Sequence, residues 1–104
     1  MKYKIIFLRH QAYDYYDSLT DVEFISASRV IKKLSEGCFS GILIKKWREK
    51  IFETYFKDDN RLFFVIEDDV IYILYACKKT KNKTSKKDTK SILNLYKCFK
   101  MLHL

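Results

Sequence analysis

The residues of this chain best suited to chemistry are lysines, and they are concentrated in its last third. Residues 70–104 contain nine Lys and one acidic residue, Asp88, whereas residues 1–69 contain 12 Lys and Arg and 12 Asp and Glu. All of the net charge of +8 therefore comes from the last third. An apolar run at 70–77 passes directly into the lysine-rich segment 78–87, which predicts a buried strand that ends in a cationic edge. Cations on a rigid base suit a polyanion, and nucleic acid is the first partner indicated.

The composition is that of one small globular domain, and we assign residues 1–104 to it. The 104 residues are 48% hydrophobic and 16% aromatic, which excludes a disordered basic tail. The N-terminal apolar run is too short for a signal sequence and no run is long enough to span a bilayer, so we expect a cytoplasmic protein without a membrane partner. Three Cys and two His lack metal-ligand spacing, so we expect reduced thiols, no metal and no other cofactor.

The periodicity of apolar residues predicts an α+β fold. Thr20 and Glu23 form a candidate capping box at the start of the second helix, and Gly37 is a natural stop for it. The connector 38–46 has no clear pattern, and alternation begins at Trp47. The predicted strands lie at 2–8, 47–56, 61–67 and 70–77, and the helices at 11–18, 20–36 and from Ser85 onward. The predicted order is β-α-α-β-β-β-α, a small antiparallel sheet with two N-terminal helices and a C-terminal helix.

Each long helix has one apolar stripe that we expect to pack on the sheet. In the second helix the stripe consists of Phe24, Ala27, Ile31 and Leu34. In the last helix it consists of Ile92, Leu95, Tyr96 and Phe99. The lysines of both helices lie off these stripes and are therefore predicted to face solvent or a partner.

Three features together resemble the RelE/ParE/HigB superfamily of bacterial toxins. Residues 51–64, IFETYFKDDNRLFF, look like its strand, turn and strand, in which an aromatic-Glu pair leads to a turn and then to Arg, a hydrophobic residue and an aromatic one. Residues 73–87, ILYACKKTKNKTSKK, are similar to a HigB-like stretch, and a helix follows it. The β-α-α-β-β-β order agrees with a RelE-like core. The joint order of these motifs carries the resemblance, because no single motif is diagnostic.

The resemblance implies the toxin of a type II toxin–antitoxin system. RelE-like and HigB-like toxins cut mRNA, usually on the ribosome, without a metal: the ribose 2′-OH attacks the adjacent phosphate and the 5′-oxygen leaves. The reaction requires removal of the 2′ proton, stabilisation of charge on the phosphorane and protonation of the leaving oxygen. The implied partners are mRNA, the ribosome and a cognate antitoxin, which in such systems commonly covers the basic site with an acidic helix or strand.

The resemblance also implies which residues catalyse the reaction. Arg61 matches the family's Arg, and its planar fork suits phosphate oxygens; the alternative is an ion pair with an Asp of the preceding turn. Lys78 and Lys79 follow the last strand, where the family has basic active-site residues, and strand alternation points one of them into the cleft. Tyr75 occupies a position where the family commonly has His.

Other basic residues are predicted to hold RNA. They are Lys57, Lys81, Lys83, Lys86 and Lys87. Glu53 is expected to pair with a nearby lysine, with a catalytic role as the alternative. These lysines surround the predicted edge of the sheet, so we expect them to contribute affinity and not bond cleavage.

Two other functions remain open at this stage. A ParE-like protein inhibits gyrase by binding it, shares the fold and needs no general base. A basic RNA- or DNA-binding domain without enzymatic activity is also consistent with the charge. Growth arrest and its relief by a neighbouring gene separate the toxins from the binding domain.

Overall fold

A five-stranded sheet covered by helices on both faces makes up the fold. The computed structural model describes residues 2–79 and 83–103. The strands are β1 (Lys4–Phe7), β2 (Ile44–Arg48), β3 (Ile51–Phe56), β4 (Asn60–Glu67) and β5 (Val70–Lys78). The helices are α1 (His10–Asp17), α2 (Asp21–Glu36) and α3 (Lys86–Leu102), with a short 3-10 turn at Phe39–Gly41. The strands lie in the order β1-β5-β4-β3-β2.

Local signals set the limits of the helices. The Thr20 side chain accepts a hydrogen bond from the Glu23 N–H while the Glu23 carboxylate accepts one from the Thr20 N–H, so the predicted capping box is confirmed. Gly37 ends α2 with φ of 72°, a conformation that glycine adopts without strain. Ser85 caps α3 by accepting a hydrogen bond from the Asp88 N–H, also as predicted.

The α+β class is confirmed, but the sheet differs from the prediction in two ways. It has an additional strand, because the predicted strand 47–56 is interrupted at a tight turn where Glu49 has φ of 52°. The connector contributes β2, which pairs antiparallel with β3. The sheet is also mixed and not purely antiparallel, since β1 lies parallel beside β5, with Lys4 opposite Val70.

The alternation of side chains along the central strands divides the core between the two faces of the sheet. On one face, residues such as Leu62, Phe64 and Ile73 pack with α1 and α2. On the other face, residues such as Phe63, Val65 and Leu74 pack with Ile92, Tyr96 and Phe99 of α3.

The stripe of α3 is therefore confirmed, but that of α2 is wrong at one position. Phe24 is 39% exposed, and Val30 is buried in the core together with Ala27 and Leu34. Since Phe24 lies on the flank of α2 that faces α1, it contacts Tyr16 instead of the sheet. No helix of the described residues is long and apolar enough to cross a membrane.

A buried polar network fastens the β3–β4 turn to the N-terminal helices. Asn60, fully buried, donates to the Glu23 carboxylate at 3.0 Å and to the Lys57 carbonyl at 2.7 Å, and it accepts a hydrogen bond from the Tyr15 hydroxyl. Lys78 lies 3.2 Å from the same Glu23 carboxylate. The hydrogen bonds that Glu23 accepts from Asn60, Thr20 and Lys78, of which the one from Asn60 has the largest effect, lower the pKa of Glu23 to about 2. Burial is the main cause that raises the pKa of Tyr15 to about 12, so its hydroxyl stays a donor.

We expect acid to weaken the fold through Glu23. Because the folded-state pKa is lowered from 4.5 to about 2, the stabilisation is complete above pH 4.5 and is lost as the pH falls towards 2. Thermal unfolding of the wild type and of Glu23→Gln between pH 2 and 7 measures this contribution. The difference in Tm between the two proteins should shrink on acidification. An unchanged difference at pH 2 would contradict the prediction.

Candidate functional site

Three charged side chains meet on the α3 face of the sheet. The Lys79 ammonium lies 2.7 Å from the Glu53 carboxylate, and Arg61 Nε lies 3.5 Å from the same oxygen, Oε2. The side chains of Lys79 and Glu53 are 6% and 5% exposed, and that of Arg61 is 14% exposed. We call these three residues the charged cluster. One carboxylate faces two cations, so the cluster has an uncompensated positive charge.

The strands account for the position of each member of the cluster. Arg61 on β4 lies opposite Tyr55 on β3 and Cys77 on β5. Glu53 precedes Tyr55 by two residues and Lys79 follows Cys77 by two, so strand alternation directs all three to one face. The Lys79 N–H donates to the Asp59 carbonyl at 2.8 Å, which fixes the lysine to the β3–β4 turn.

The Arg61 guanidinium contacts a neighbouring aromatic ring and a backbone carbonyl, and its Nε donor is left without an acceptor in the described part of the chain. Its guanidinium lies 4.0 Å from the centre of the Tyr55 ring, and its Nη1 donates to the Asn60 carbonyl at 3.2 Å. Its Nε is buried and has no hydrogen-bond acceptor among residues 2–79 and 83–103. The predicted alternative, an ion pair with Asp58 or Asp59, is not formed. Guanidinium groups bind phosphate and carboxylate oxygens, so Arg61 is the member of the cluster whose chemistry best suits an anionic ligand.

A cationic cleft extends from the charged cluster towards the start of α3. It consists of three adjoining depressions of about 430, 530 and 440 Å³, all of which include Thr84 in their walls. Cations from β2, the end of β5 and the first turns of α3 line it: Lys45, Arg48, Lys78, Lys79, Lys83, Lys86 and Lys90. The acids in these walls are Glu53, which belongs to the cluster, and Asp88. Such a surface attracts a polyanion.

The two predicted catalytic lysines point to opposite faces of the sheet, as their adjacency predicts. Lys79 belongs to the charged cluster. Lys78 borders the cleft, but its ammonium pairs with Glu23 on the α2 face and its side chain is 49% exposed. Of these two lysines, only Lys79 contacts Glu53, the carboxylate that also faces Arg61.

Tyr75 holds α3 against the sheet. Its hydroxyl donates to Asp88 Oδ1 at 2.6 Å, and the other oxygen of Asp88 accepts a hydrogen bond from the Ser85 hydroxyl at 2.9 Å. Burial, reinforced by the hydrogen bond to Asp88, raises the pKa of Tyr75, so the phenol stays protonated and acts as a donor. The Tyr75 hydroxyl is thus bonded to Asp88, a residue of the first turn of α3 that lines the cleft.

The predicted RNA-binding lysines divide into two groups. Lys83 and Lys86 line the cationic cleft. Lys57 lies in the β3–β4 turn with its N–H bonded to Ser26 of α2, and Lys87 is exposed on α3 outside the cleft walls. Lys81 lies outside the described residues.

The predicted pairing of Glu53 with a lysine is confirmed by Lys79, but the sequence did not identify Glu53 as the centre of a cluster that includes Arg61. The available signal was a lone acid in the mainly apolar and aromatic β3, because a buried carboxylate requires a charged or hydrogen-bonding partner. Sequence reasoning also missed Lys45, Arg48 and Lys90 as part of the cleft; Lys45 lies in the segment that was predicted as a connector and is part of β2.

The cysteine nearest the cluster is chemically inert. Cys77 is buried opposite Arg61, and burial is the main cause that raises the pKa of its thiol to about 12. It therefore remains a thiol at neutral pH. Within the described residues no three His, Cys, Asp or Glu side chains are grouped to hold a metal ion.

Comparison with known proteins identifies the family. The family model described as "Phage derived protein Gp49-like (DUF891)" matches residues 18–97, which include every member of the charged cluster. The chain belongs to the Gp49-like family. This is a family of toxins associated with toxin–antitoxin systems and of the general RelE/ParE type, and it implies an antitoxin partner. A search of curated proteins found no match.

Removing the Tyr75 hydroxyl should loosen α3 without altering the charged cluster. Tyr75→Phe deletes a buried hydrogen bond to a carboxylate, which costs about 1–3 kcal/mol of unfolding free energy. Urea denaturation measures this loss. Tyr96→Phe is the matched control, because Tyr96 is also buried and its hydroxyl has no partner within the described chain; we expect less than about 0.5 kcal/mol. Equal stability of the two variants would contradict the assignment of Tyr75.

Proposed function

We propose that this Gp49-like toxin is an mRNA endonuclease that inhibits translation by cutting ribosome-bound mRNA without a metal ion. The observation that supports this best is the buried charged cluster of Glu53, Arg61 and Lys79, of which Glu53 and Lys79 line one end of the cationic cleft. Proton transfer and phosphate stabilisation require groups such as a carboxylate, an ammonium and a guanidinium.

The cleft favours a single-stranded nucleic acid as substrate. Its cations follow one another from Lys45 and Arg48 on β2 to Lys86 and Lys90 on α3, so they can contact successive phosphates. Aromatic rings lie in the same wall, with Trp47 and Tyr55 both beside the charged cluster. Proteins usually hold unpaired nucleotides with cations that contact the phosphates and aromatic rings that stack on the bases.

Glu53 is the group proposed to accept the 2′ proton. Both of its charged contacts use Oε2, and Oε1 has no hydrogen-bond partner among the described residues. Removal of the proton lets the 2′ oxygen form a bond to the adjacent phosphorus. Arg61 then donates to the phosphate oxygens and stabilises the additional negative charge of the phosphorane.

Lys79 is proposed to protonate the leaving 5′ oxygen as the P–O5′ bond breaks. The products are a 2′,3′-cyclic phosphate and a free 5′-hydroxyl. Glu53 then holds one proton more than at the start and Lys79 one fewer. Transfer of that proton along the 2.7 Å hydrogen bond between them restores both groups for the next cycle.

The ribosome is proposed as the place of cleavage because the family resembles RelE-type toxins. A ribosome holds the mRNA strand in one conformation, so the attacking 2′ oxygen, phosphorus and leaving oxygen are aligned before the toxin binds. Such pre-alignment lowers the activation barrier to cleavage without further groups from the protein. Cleavage on the ribosome therefore agrees with a charged cluster of three side chains.

We expect Arg61→Gln to reduce cleavage of ribosome-bound mRNA by 10²–10³-fold, because loss of one donor to the developing charge has about this effect. The measurement is primer extension on programmed ribosomes, with chemical identification of the new RNA ends. Arg29→Gln removes the same charge from an exposed position on α2 and should cut at the wild-type rate.

Other outcomes would replace this proposal. Intact mRNA in the presence of ribosomes, together with inhibition of gyrase supercoiling, would favour the ParE-like function. Salt-dependent RNA binding without cleavage, gyrase inhibition or growth arrest would favour a binding domain. Equal rates for Arg61→Gln and Arg29→Gln would remove Arg61 from the mechanism.

A further inference from the structure

The N-terminal helices have a charge opposite to that of the rest of the molecule. Residues 10–28, which include α1 and the first half of α2, contain four acidic residues and no Lys or Arg. Because the whole chain has a net charge of +8, the remaining residues have a net charge of +12. The protein is thus strongly polarised, although its average composition is basic.

The acidic residues of this segment divide by location. Glu23 points inward and pairs with Lys78. Asp14, Asp17 and Asp21 are exposed, and none of them forms an ion pair within the described chain. These three carboxylates therefore present unbalanced negative charge to solvent.

The same two helices expose large apolar side chains. Seven large apolar side chains are exposed in the described chain, and four of them belong to α1 and α2: Tyr13, Val22, Phe24 and Ile25. Tyr13 contacts Phe7 with ring centroids 5.6 Å apart, Phe7 contacts Tyr16 at 6.2 Å, and Tyr16 contacts Phe24 at 4.6 Å. The chain of rings connects Tyr13 of α1 with Phe24 of α2. Single exposed apolar residues are ordinary, whereas a connected group of this kind indicates an interaction site.

We call the four exposed apolar residues and the three exposed aspartates the acidic aromatic face. An apolar centre with charged neighbours is the usual composition of a protein–protein interface. Its negative charge repels nucleic acid and anionic lipid surfaces. The matching partner is a protein segment that has an apolar stripe flanked by Lys or Arg.

We propose that the acidic aromatic face, and not the basic site expected from the resemblance, is the docking site for the antitoxin, which binds it through an apolar segment flanked by basic residues. The face lies on the α1–α2 side of the sheet, whereas the charged cluster lies on the α3 side. A second copy of this chain fits the face poorly, because the cationic cleft that matches its charge is lined mainly by lysines, threonines and other polar groups. The proposal depends on membership of a toxin–antitoxin family and not on nuclease activity.

Binding of the antitoxin encoded beside the toxin gene, measured by calorimetry, tests the proposal. Asp14→Lys/Asp17→Lys should weaken the affinity at least tenfold by removing charge complementarity, and the loss should be smaller at high salt. Val22→Gln/Ile25→Gln should weaken it at least tenfold by removing two of the four exposed apolar side chains of the face. Both double variants alter exposed positions, and thermal unfolding confirms that each is folded.

Matched controls come from other surfaces of the same chain. Asp69→Lys changes an exposed acid in the β4–β5 turn, and Leu43→Gln changes a side chain that is 55% exposed before β2. Lys83→Gln/Lys86→Gln removes cations from the cleft. All three controls should bind the antitoxin with wild-type affinity.

Opposite results would overturn the proposal. If the cleft variant loses antitoxin binding while the two face variants keep it, the antitoxin covers the cationic cleft. If the face variants change only self-association in sedimentation experiments, the face joins two copies of the chain. The absence of nuclease activity would not affect the calorimetry or the sedimentation experiments, because these measure binding and not RNA cleavage.

Discussion

The buried ion pair between Lys79 and Glu53 is the interaction on which the rest of the site depends. Its Nζ–Oε2 distance is 2.7 Å and both side chains are almost fully buried, so each charge has lost most of its hydration. Such a pair is tolerated only with good geometry, and removal of one partner costs about 3–5 kcal/mol because the other charge remains buried. The fold supplies the geometry: the Lys79 N–H bonds to the β3–β4 turn, and Asn60 fastens that turn to α1 and α2.

The sheet separates two kinds of chemistry. On the α3 face, cations surround the charged cluster and continue along a cleft suited to an extended polyanion. On the α1–α2 face, aspartates and exposed aromatic rings suit a protein partner. Lys78 and Lys79 illustrate the division, because adjacent residues at the end of one strand stabilise different faces. The proposed target and the proposed antitoxin contacts thus use distinct surfaces of the molecule.

Signals within a few residues of sequence were sufficient to predict local structure, but they did not predict contacts between residues that are distant in the chain. The caps at Thr20 and Ser85 depend on neighbours three residues away, so the sequence was sufficient to place them. The strand β2 was missed because its sequence, IKKWR, has two half-buried apolar residues and lies at an edge. The parallel pairing of β1 with β5 joins segments that lie far apart in the sequence and has no local signature. Glu53 became recognisable as the centre of the site only when the fold brought Arg61 and Lys79 to it.

A double-mutant cycle on the cleavage rate tests the central claim that Glu53 and Lys79 act as one proton-transferring unit. The rates of wild type, Glu53→Gln, Lys79→Met and the double variant on programmed ribosomes are compared, after circular dichroism has shown that each protein is folded. If the pair acts as a unit, either single substitution removes most of the rate and the second adds little. The account would be contradicted if the fold-loss of rate in the double variant equalled the product of the two single losses, or if Glu53→Gln cut mRNA at the wild-type rate.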